Sequence, residues 1–367
     1  MPLAAFRADA SHQIGLGHIM RCLVLADALT KRGWRSLFLC KNHDQHPQQL
    51  IAARGYQTML LQCDAVTDST AAYQGWLGGA TEDDALQSLA LLREESVSLL
   101  VVDHYALDAR WQQLLADDVG AVMVMDDLAN RSHHCQLLLD PTLGRHSDEY
   151  TDQGAVATTM LLGPQYALLR PEFAMLAGNA KRKRSKGSDV DNIVISLGGS
   201  DPLDITAQCV KALSHLVLPD NLQVRVVLGK NYRFLESLEK TLKWLPYRCS
   251  LHVNVSDMEN YLLEANIAIG GSGSSSWERC TLGLPTLQIV DADNQREIAR
   301  NLESSGAIIA MDARAGFNRR EFIEVLSRMI GDSQLRQQMS AAAFKVCDGQ
   351  GTERVVSAIL ESVKSEQ

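Results

Sequence analysis

The 367-residue chain contains no Cys-x-x-Cys pair, no Gly-Lys-Ser/Thr phosphate loop, no excess of positive charge and no apolar run long enough to span a bilayer. Each absence removes a class of function. The eight cysteines, Cys22, Cys40, Cys63, Cys135, Cys209, Cys249, Cys280 and Cys347, fall mostly in apolar strand or helix patterns. There they act as small buried hydrophobes, which argues against a disulfide framework and for a reducing compartment. Arg7 and Asp9 interrupt any secretory apolar segment, so a cytoplasmic location without membrane insertion is expected. A formal charge of −9 argues against nucleic acid or an anionic membrane as the main partner. His133 and His134 are adjacent rather than on one helical face, and His43 and His46 likewise lack ligand spacing, so neither a metal nor a cofactor is expected.

What is present is a globular composition, 46% hydrophobic and 22% charged, over a length that suits two α/β domains. The stretch Asp9 to Leu29 organises the first. Leu3 to Ala8 reads as a strand, and Ile19, Cys22, Leu23, Leu25, Ala26 and Leu29 recur at helical spacing from about His18. Between them Gly15 and Gly17 allow a tight loop, and the unpartnered amides opening the helix form an anion-binding geometry. At a positive helix end a neutral His18 able to accept a proton is favoured; the plainer alternative is a loop histidine bonded to backbone. Arg21, three residues on, shares its face and can set charge beside an anion, or else be a solvated surface arginine. The dinucleotide fingerprint is incomplete, because no third glycine follows and the second strand ends toward Lys41 and Asn42.

Strands Arg35 to Cys40 and Gln57 to Leu61 follow, then a polar excursion from Cys63 to Gly79 and a helix from Glu82 to Glu94, for which Thr81 and Asp84 suggest an imperfect capping box. The apolar Val97 to Val102 reads as a buried parallel strand ending in Asp103-His104-Tyr105, and Ala121 to Met125 ends in Asp126-Asp127. Acidic residues at such strand ends can orient sugar hydroxyls, position water or assist His18, or can simply cap helices. From Gly178 to Asp191 the composition turns basic, which predicts a solvated linker.

The pattern restarts with strand Asn192 to Leu197 and Gly198-Gly199-Ser200-Asp201, with Pro202 in the first turn of the next helix. Its centre is Asn266 to Gly270 followed by GSGSSSWERC, whose amides and hydroxyls can hold a diphosphate without lysine or metal. Glu278, one turn into the helix, can accept both hydroxyls of a ribose or merely balance the helix amino terminus. Asn294 and Gln295 can donate amides to phosphate or sugar oxygens. The expected organisation is a first domain over 1–180, a basic linker over 181–191, a second domain over 192–345 and a terminal helix over 346–367 that can pack back on the first domain.

In their order these motifs, Arg7-x-Asp9, Gly15-Leu16-Gly17-His18-x-x-Arg21, Asp103-His104-Tyr105, Gly198-Gly199-Ser200-Asp201 and Gly273-x-x-x-x-Glu278 with Asn294-Gln295, resemble the PseG family. That family comprises UDP-2,4-diacetamido-2,4,6-trideoxy-β-L-altropyranose hydrolases of pseudaminic acid synthesis, related to MurG-type glycosyltransferases. The resemblance implies a GT-B-like α/β fold, two Rossmann-type parallel-sheet domains facing a central cleft. It implies that His18 is the catalytic base; Asp9 and Asp103 are the further catalytic candidates, orienting sugar or water or else structural. Arg7, Gly17, Arg21, His104 and Tyr105 become substrate contacts, as do Gly199 and Ser200. The UDP contacts it implies are Gly273, Ser274, Ser275, Glu278, Asn294 and Gln295. The partner is then a UDP-activated diacetamido-trideoxy sugar, handled by a monomer or small homo-oligomer. The expected reaction is inverting attack of water at the anomeric carbon with release of UDP, within surface-polysaccharide or flagellin glycosylation. A GT-B glycosyltransferase and a non-enzymatic UDP-sugar sensor are the alternatives, since fold alone does not choose between them.

Overall fold

The computed structural model describes residues 1–11, 13–44, 46–63, 73–187, 189–199 and 201–365. Strand and helix alternate from the start. The first series is β1 Leu3–Ala8, α1 Gly17–Thr30, β2 Arg35–Lys41, α2 Gln48–Ala52, β3 Gln57–Leu61, α3 Thr81–Leu92 and β4 Val97–Asp103. It continues with α4 Ala109–Ala116, β5 Val122–Met125, β6 His134–Asp140, α5 Ser147–Thr151 and β7 Val156–Leu162. The second series runs α6 Pro171–Arg184, β8 Asn192–Ser196, α7 Ile205–Leu213, β9 Gln223–Leu228, α8 Leu235–Leu242, β10 Arg248–Val253 and α9 Met258–Glu264. Then come β11 Ile267–Gly271, α10 Ser275–Thr281, β12 Thr286–Val290, α11 Arg296–Ser304, β13 Ile308–Asp312, α12 Arg319–Gly331, α13 Ser333–Val346 and finally α14 Gly351–Ser365.

The chain forms two compact units. The first is Met1–Leu168 with the chain from Gln350 onward, and the second is Leu169–Gly349. The boundary thus falls about a dozen residues before the expected one at 180, and the expected linker is not a linker. Lys181 to Arg184 form the last turn of α6, where the Arg184 guanidinium donates to the carbonyls of Leu262, Ala265 and Leu282, and Lys183 to those of Leu263 and Glu264. Cations over free helix-end carbonyls are favourable, and this contact, invisible in composition, keeps the run helical.

In the first unit seven strands pair in the order β3-β2-β1-β4-β5-β6-β7, all parallel. One face is covered by α1, whose Ile19, Cys22, Leu23, Ala26 and Leu29 are buried against Phe6, Phe38 and Val101. The terminal helix α14 joins that cluster through Val355, Val356 and Ile359. Each such burial is worth about 1.5–3 kcal/mol before entropy is counted, enough to fix the helix on this unit. The second sheet has the order β10-β9-β8-β11-β12-β13, again all parallel.

In each sheet the strand order reverses direction once, at β1/β4 and at β8/β11. A doubly wound sheet opens a crevice at the carboxyl ends of those strands, so ligand-binding loops are expected there. The loop after β1, the end of β4, the loop after β8 and the Gly-Ser loop after β11 occupy these places.

Candidate active site

In the first unit, Gly15 takes φ +77° in the turn that carries the chain from β1 into α1, which requires glycine or strain. Gly17 opens the helix with ordinary backbone angles. His18 follows as its second residue, so α1 aims the imidazole at the end of β4. There His18 Nδ1 lies 2.6 Å from Asp103 Oδ1. Arg21 grips the same carboxylate, Nε to Oδ2 at 2.6 Å and a terminal nitrogen to Oδ1 at 2.6 Å, and extends its other terminal nitrogen 3.0 Å to Asp127 Oδ2.

The terminal nitrogen of Arg21 that donates to Asp103 also lies 3.3 Å from His18 Nδ1, a contact that would want Nδ1 to accept. The carboxylate can only accept and is much closer, so Nδ1 carries a proton, and in the neutral imidazole the lone pair is on Nε2. Among the described residues Nε2 has no hydrogen-bond partner. Burial would raise the Asp103 carboxyl, but Arg21 and His18 outweigh it and hold it well below the usual range. A carboxylate that orients a histidine and leaves its far nitrogen basic is the arrangement of a general base.

Tyr105 packs edge-on to His18 with ring centroids 4.7 Å apart, and Trp76 stacks on Tyr105 at 5.6 Å. Tyr73 meets both edge-on, at interplanar angles of 71° to Trp76 and 64° to Tyr105, and the Arg131 guanidinium sits 5.9 Å from the Tyr105 ring centre. Tyr73, Trp76 and Arg131 were not singled out from sequence; the only signal was a pair of aromatics within a polar, glycine-containing stretch.

Other expected contacts are turned inward. Arg7 is fully buried, donating to Asp9 at 2.7 and 2.9 Å and to Asp84 at 2.7 and 3.1 Å. Asp9 also accepts from the Lys41 amide at 2.7 Å. Burial would raise Asp9, but Arg7 and then His104 bring it down to about 2. Arg7 and Asp9 are therefore corrected from substrate contact and catalytic support to an internal ion pair. Asp84 caps nothing: α3 starts at Thr81 without a side-chain cap, and Asp84 instead accepts from Arg7 and from Trp111 Nε1 at 2.9 Å. His104 is also internal. Its Nδ1 accepts the Ala106 amide at 3.1 Å, its Nε2 faces Asp9 Oδ2 at 3.4 Å, and burial lowers it to about 4, so it is neutral near pH 7. His133, offered by sequence beside His134, accepts from Gln112 at 3.0 Å.

In the second unit, Gly270 leaves room for the buried Arg279, since a Cβ there would stand 2.6 Å from its guanidinium. Arg279 donates to the Gly271 carbonyl at 2.6 Å, to Ser275 and Ser276 hydroxyls and to Gln288 Oε1, all neutral acceptors. Burial lowers it to about 10, which still leaves a cation beneath the Gly-Ser loop near pH 7. Ser272 and Ser276 spend their hydroxyls internally, on the Ile289 carbonyl and Gln288, leaving Gly273 and Ser274 at the loop surface with Ser275 beside Arg279.

Glu278 is half-buried on α10, and among the described residues its carboxylate has no hydrogen-bond partner. Burial raises it to about 7, with Arg170 and Arg279 opposing and Glu259 reinforcing the rise. Arg170, which sequence reading passed over, bonds Glu259 at 2.5 Å. Gln295 accepts the Asp291 amide at 3.2 Å, while Asn294 stands half-buried beside it. Gly199 lies in the loop after β8, and Ser200 lies outside the described residues. Asp201 caps α7 by accepting from Ile205 and Thr206, and that helix begins at Ile205, so Pro202 sits in the preceding turn rather than in the helix.

No family model matches the chain. Comparison with characterised proteins shows the resemblance described above. A UDP-2,4-diacetamido-2,4,6-trideoxy-β-L-altropyranose hydrolase of Campylobacter jejuni is 25% identical over 301 residues, covering 82% of this chain and 96% of the relative. The spore coat polysaccharide biosynthesis protein SpsG of Bacillus subtilis is 20% identical over 367 residues, with 98% of each chain covered. An uncharacterised protein of Methanocaldococcus jannaschii is 22% identical over 80% of this chain, which spans only 56% of that relative's length. Among solved structures, MurG of Acinetobacter baumannii superposes with a TM-score of 0.69 at 14% identity, covering 98% of this chain and all of that one. A spinosyn rhamnosyltransferase complexed with thymidine diphosphate gives 0.66 at 18% identity, again over 98% and 100%. The fold is that of the GT-B glycosyltransferases, two Rossmann-type parallel-sheet domains. Among the described residues no helix is long and apolar enough to cross a membrane.

Proposed function

We propose that this protein hydrolyses a UDP-activated sugar, UDP-2,4-diacetamido-2,4,6-trideoxy-β-L-altropyranose or a close relative, to UDP and the free sugar. The reading is carried by the His18–Asp103 pair at the first switch point, with Nδ1 fixed by the carboxylate and Nε2 available as a base. The relative in Campylobacter jejuni supports the substrate class, and the spore coat protein supports a place in polysaccharide synthesis.

A water held by His18 Nε2 attacks the anomeric carbon opposite the nucleotide. As the new C–O bond forms, the water proton passes to Nε2 and the bond to the diphosphate oxygen breaks, so the anomeric configuration inverts. Asp103 stabilises the imidazolium formed. Tyr105 supplies a wall for the sugar, and Arg21 keeps Asp103 ionised and aimed.

In the second unit, the Gly273-Ser274-Ser275 loop receives the diphosphate. The buried Arg279 beneath it counters phosphate charge in a protein that is otherwise negative overall. Glu278 accepts the ribose hydroxyls, and Asn294 and Gln295 lie on the same sheet edge for further polar contacts. The cytoplasm is the proposed setting, with the protein acting as a monomer or small homo-oligomer.

The structural neighbours favour one other reading, glycosyl transfer to a carbohydrate acceptor, because MurG and the rhamnosyltransferase share the fold. Incubating the pure protein with the named UDP-sugar and following UDP and free sugar separates the two. Release of both at equal rates without any acceptor supports hydrolysis; release only on adding an acceptor carbohydrate supports transfer.

A further inference from the structure

Outside the machinery just described, the ends of β2 and β3 bring a thiol and an imidazole together. Cys63 Sγ lies 3.4 Å from His43 Nδ1, and His43 Nε2 lies 3.9 Å from Asp9 Oδ2. The two strand ends are pinned: the Asn42 amide donates to the Leu61 carbonyl at 2.9 Å, and Lys41 Nζ donates to the Gln62 carbonyl at 2.8 Å. In its Nε2–H tautomer, His43 presents an acceptor at Nδ1 to the thiol proton. A thiol beside such a base has more thiolate, and the thiolate is the nucleophile.

The remaining cysteines lack this setting. Cys22, Cys40, Cys135, Cys209 and Cys280 are buried, with burial pushing each thiol up, and Cys347 is buried as well. Cys249 is half-buried like Cys63, and among the described residues no hydrogen bond joins its thiol to a histidine.

Cys63 also touches a turn that matters. A Cβ on Gly78, which takes φ +62°, would stand 2.4 Å from Cys63 Sγ and 3.0 Å from His43 Cε1, so the sulfur packs directly on the Gly78 backbone. Two residues earlier, Trp76 stacks on Tyr105 and meets the His18 ring edge-on at 6.4 Å. A group added to the sulfur on this side pushes that turn.

We propose that Cys63 is a thiol-modification site for small disulfides, and that the mixed disulfide displaces the Gly78–Trp76 turn. The Cys63 proton passes to His43 Nδ1, and the thiolate attacks one sulfur of the disulfide. A new S–S bond forms as the old one breaks, and the departing thiolate takes up a proton. The effect on turnover rests on the hydrolase reading; the chemistry of the thiol does not.

The test treats the folded full-length protein with 2-hydroxyethyl disulfide and follows each cysteine-containing peptide by mass spectrometry. Cys63 is expected to gain the adduct at least about tenfold faster than Cys249, and H43Q to reduce that ratio about tenfold. Trp76 emission, read as the difference between wild type and W76F, is expected to shift on modification and return with dithiothreitol. UDP release should fall and recover in parallel, while C63S keeps its turnover and ignores the reagent. Equal labelling of Cys63 and Cys249, or a folded H43Q with an unchanged ratio, would overturn the site. Modification without a change in Trp76 emission would overturn the coupling. If H43Q unfolds, all cysteines label together and the wild-type ratio decides.

Discussion

His18 Nδ1 stands 2.6 Å from Asp103 Oδ1, and the residue that holds the other side of that carboxylate, Arg21, comes from the next turn of the same helix as His18. One helix therefore supplies both the base and the cation that keeps the base's partner ionised. These three side chains hold one another in place, which saves reorganisation when charge develops.

This arrangement makes the dyad separable from nucleotide binding. H18A should lose about 10²- to 10⁴-fold in turnover, the usual loss on removing general-base assistance. D103N should lose a comparable amount, because an amide no longer dictates which imidazole nitrogen carries the proton. Both should bind UDP nearly as wild type does. Initial rates of UDP release at saturating donor, with calorimetric UDP affinities and circular dichroism on the same samples, check this. Near-normal turnover of a folded H18A would end the general-base assignment, and activity in H18N but not H18A would make His18 a positioning group.

Glu278 gives a prediction about pH. Burial raises its carboxyl to about 7, so in the ligand-free protein the charged acceptor dominates only above that value. Ribose hydroxyls donate to carboxylate, and binding should therefore strengthen as pH rises from about 6 to 8 and level off beyond. The limiting slope on the acid side is about tenfold per pH unit for one proton. Uridine is the better probe, because UDP carries a phosphate that titrates in the same window. E278Q should bind uridine weakly and with no such slope. A wild-type affinity that is flat from pH 6 to 8 would remove Glu278 from ribose contact.

Much of this was legible in the chain. The alternation of apolar strands with periodic helices, and its restart near Asn192, predicts two parallel sheets, and glycine-rich turns at strand ends point to the switch points. His18 and Arg21 could be placed together because three residues on a helix share a face. What periodicity cannot show is the partner a charged residue finds across the fold. Arg7 and Asp9 look like site residues in a motif, but Asp84 approaches from 77 positions away and closes them into the interior. Asp84 itself reads as a capping residue because local spacing permits that role. The basic run at the end of α6 reads as a linker because its anchoring carbonyls lie some 80 residues further on. Trp76 lies in a segment whose pattern specifies no element, so its place beside His18 depends on tertiary packing alone.

The interior ion pair has its own consequence for stability. Removing one member of a buried pair costs about 3–5 kcal/mol, since the partner's charge remains buried. D9N should thus lower urea-unfolding stability at pH 7 by roughly that amount, with Arg7 left to Asp84 alone. The pH dependence has a definite sign. Asp9 is depressed to about 2 in the folded protein, so its contribution is fully present above the unfolded value near 3.8 and is lost as pH falls through about 2. A shift of nearly two pH units corresponds to roughly 2 kcal/mol. The gap between wild type and D9N should narrow by that order between pH 5 and pH 2; a constant gap would mean that Asp9 acts through packing rather than charge.

The reaction itself is best tested at the level of the bond broken. If water attacks the anomeric carbon, turnover in ¹⁸O-labelled water puts one label in the released sugar and none in UDP. Attack at phosphorus would put the label in the nucleotide and leave the sugar's oxygen unlabelled. Because the free sugar exchanges its anomeric oxygen and mutarotates, the products must be trapped by rapid reduction within the first turnovers and read by mass spectrometry, with a no-enzyme control for exchange. Proton NMR over the same interval reports the first anomer formed, which should be inverted relative to the donor. Retention would require a covalent glycosyl intermediate on a carboxylate placed against the sugar. Asp9, with both oxygens taken by Arg7 and the Lys41 amide, is not available for that role. Asp103, fixed between His18 and Arg21, is equally committed. Retention with label in the sugar would therefore contradict the proposed single displacement even if H18A proved inactive, and label in UDP would contradict attack at carbon altogether.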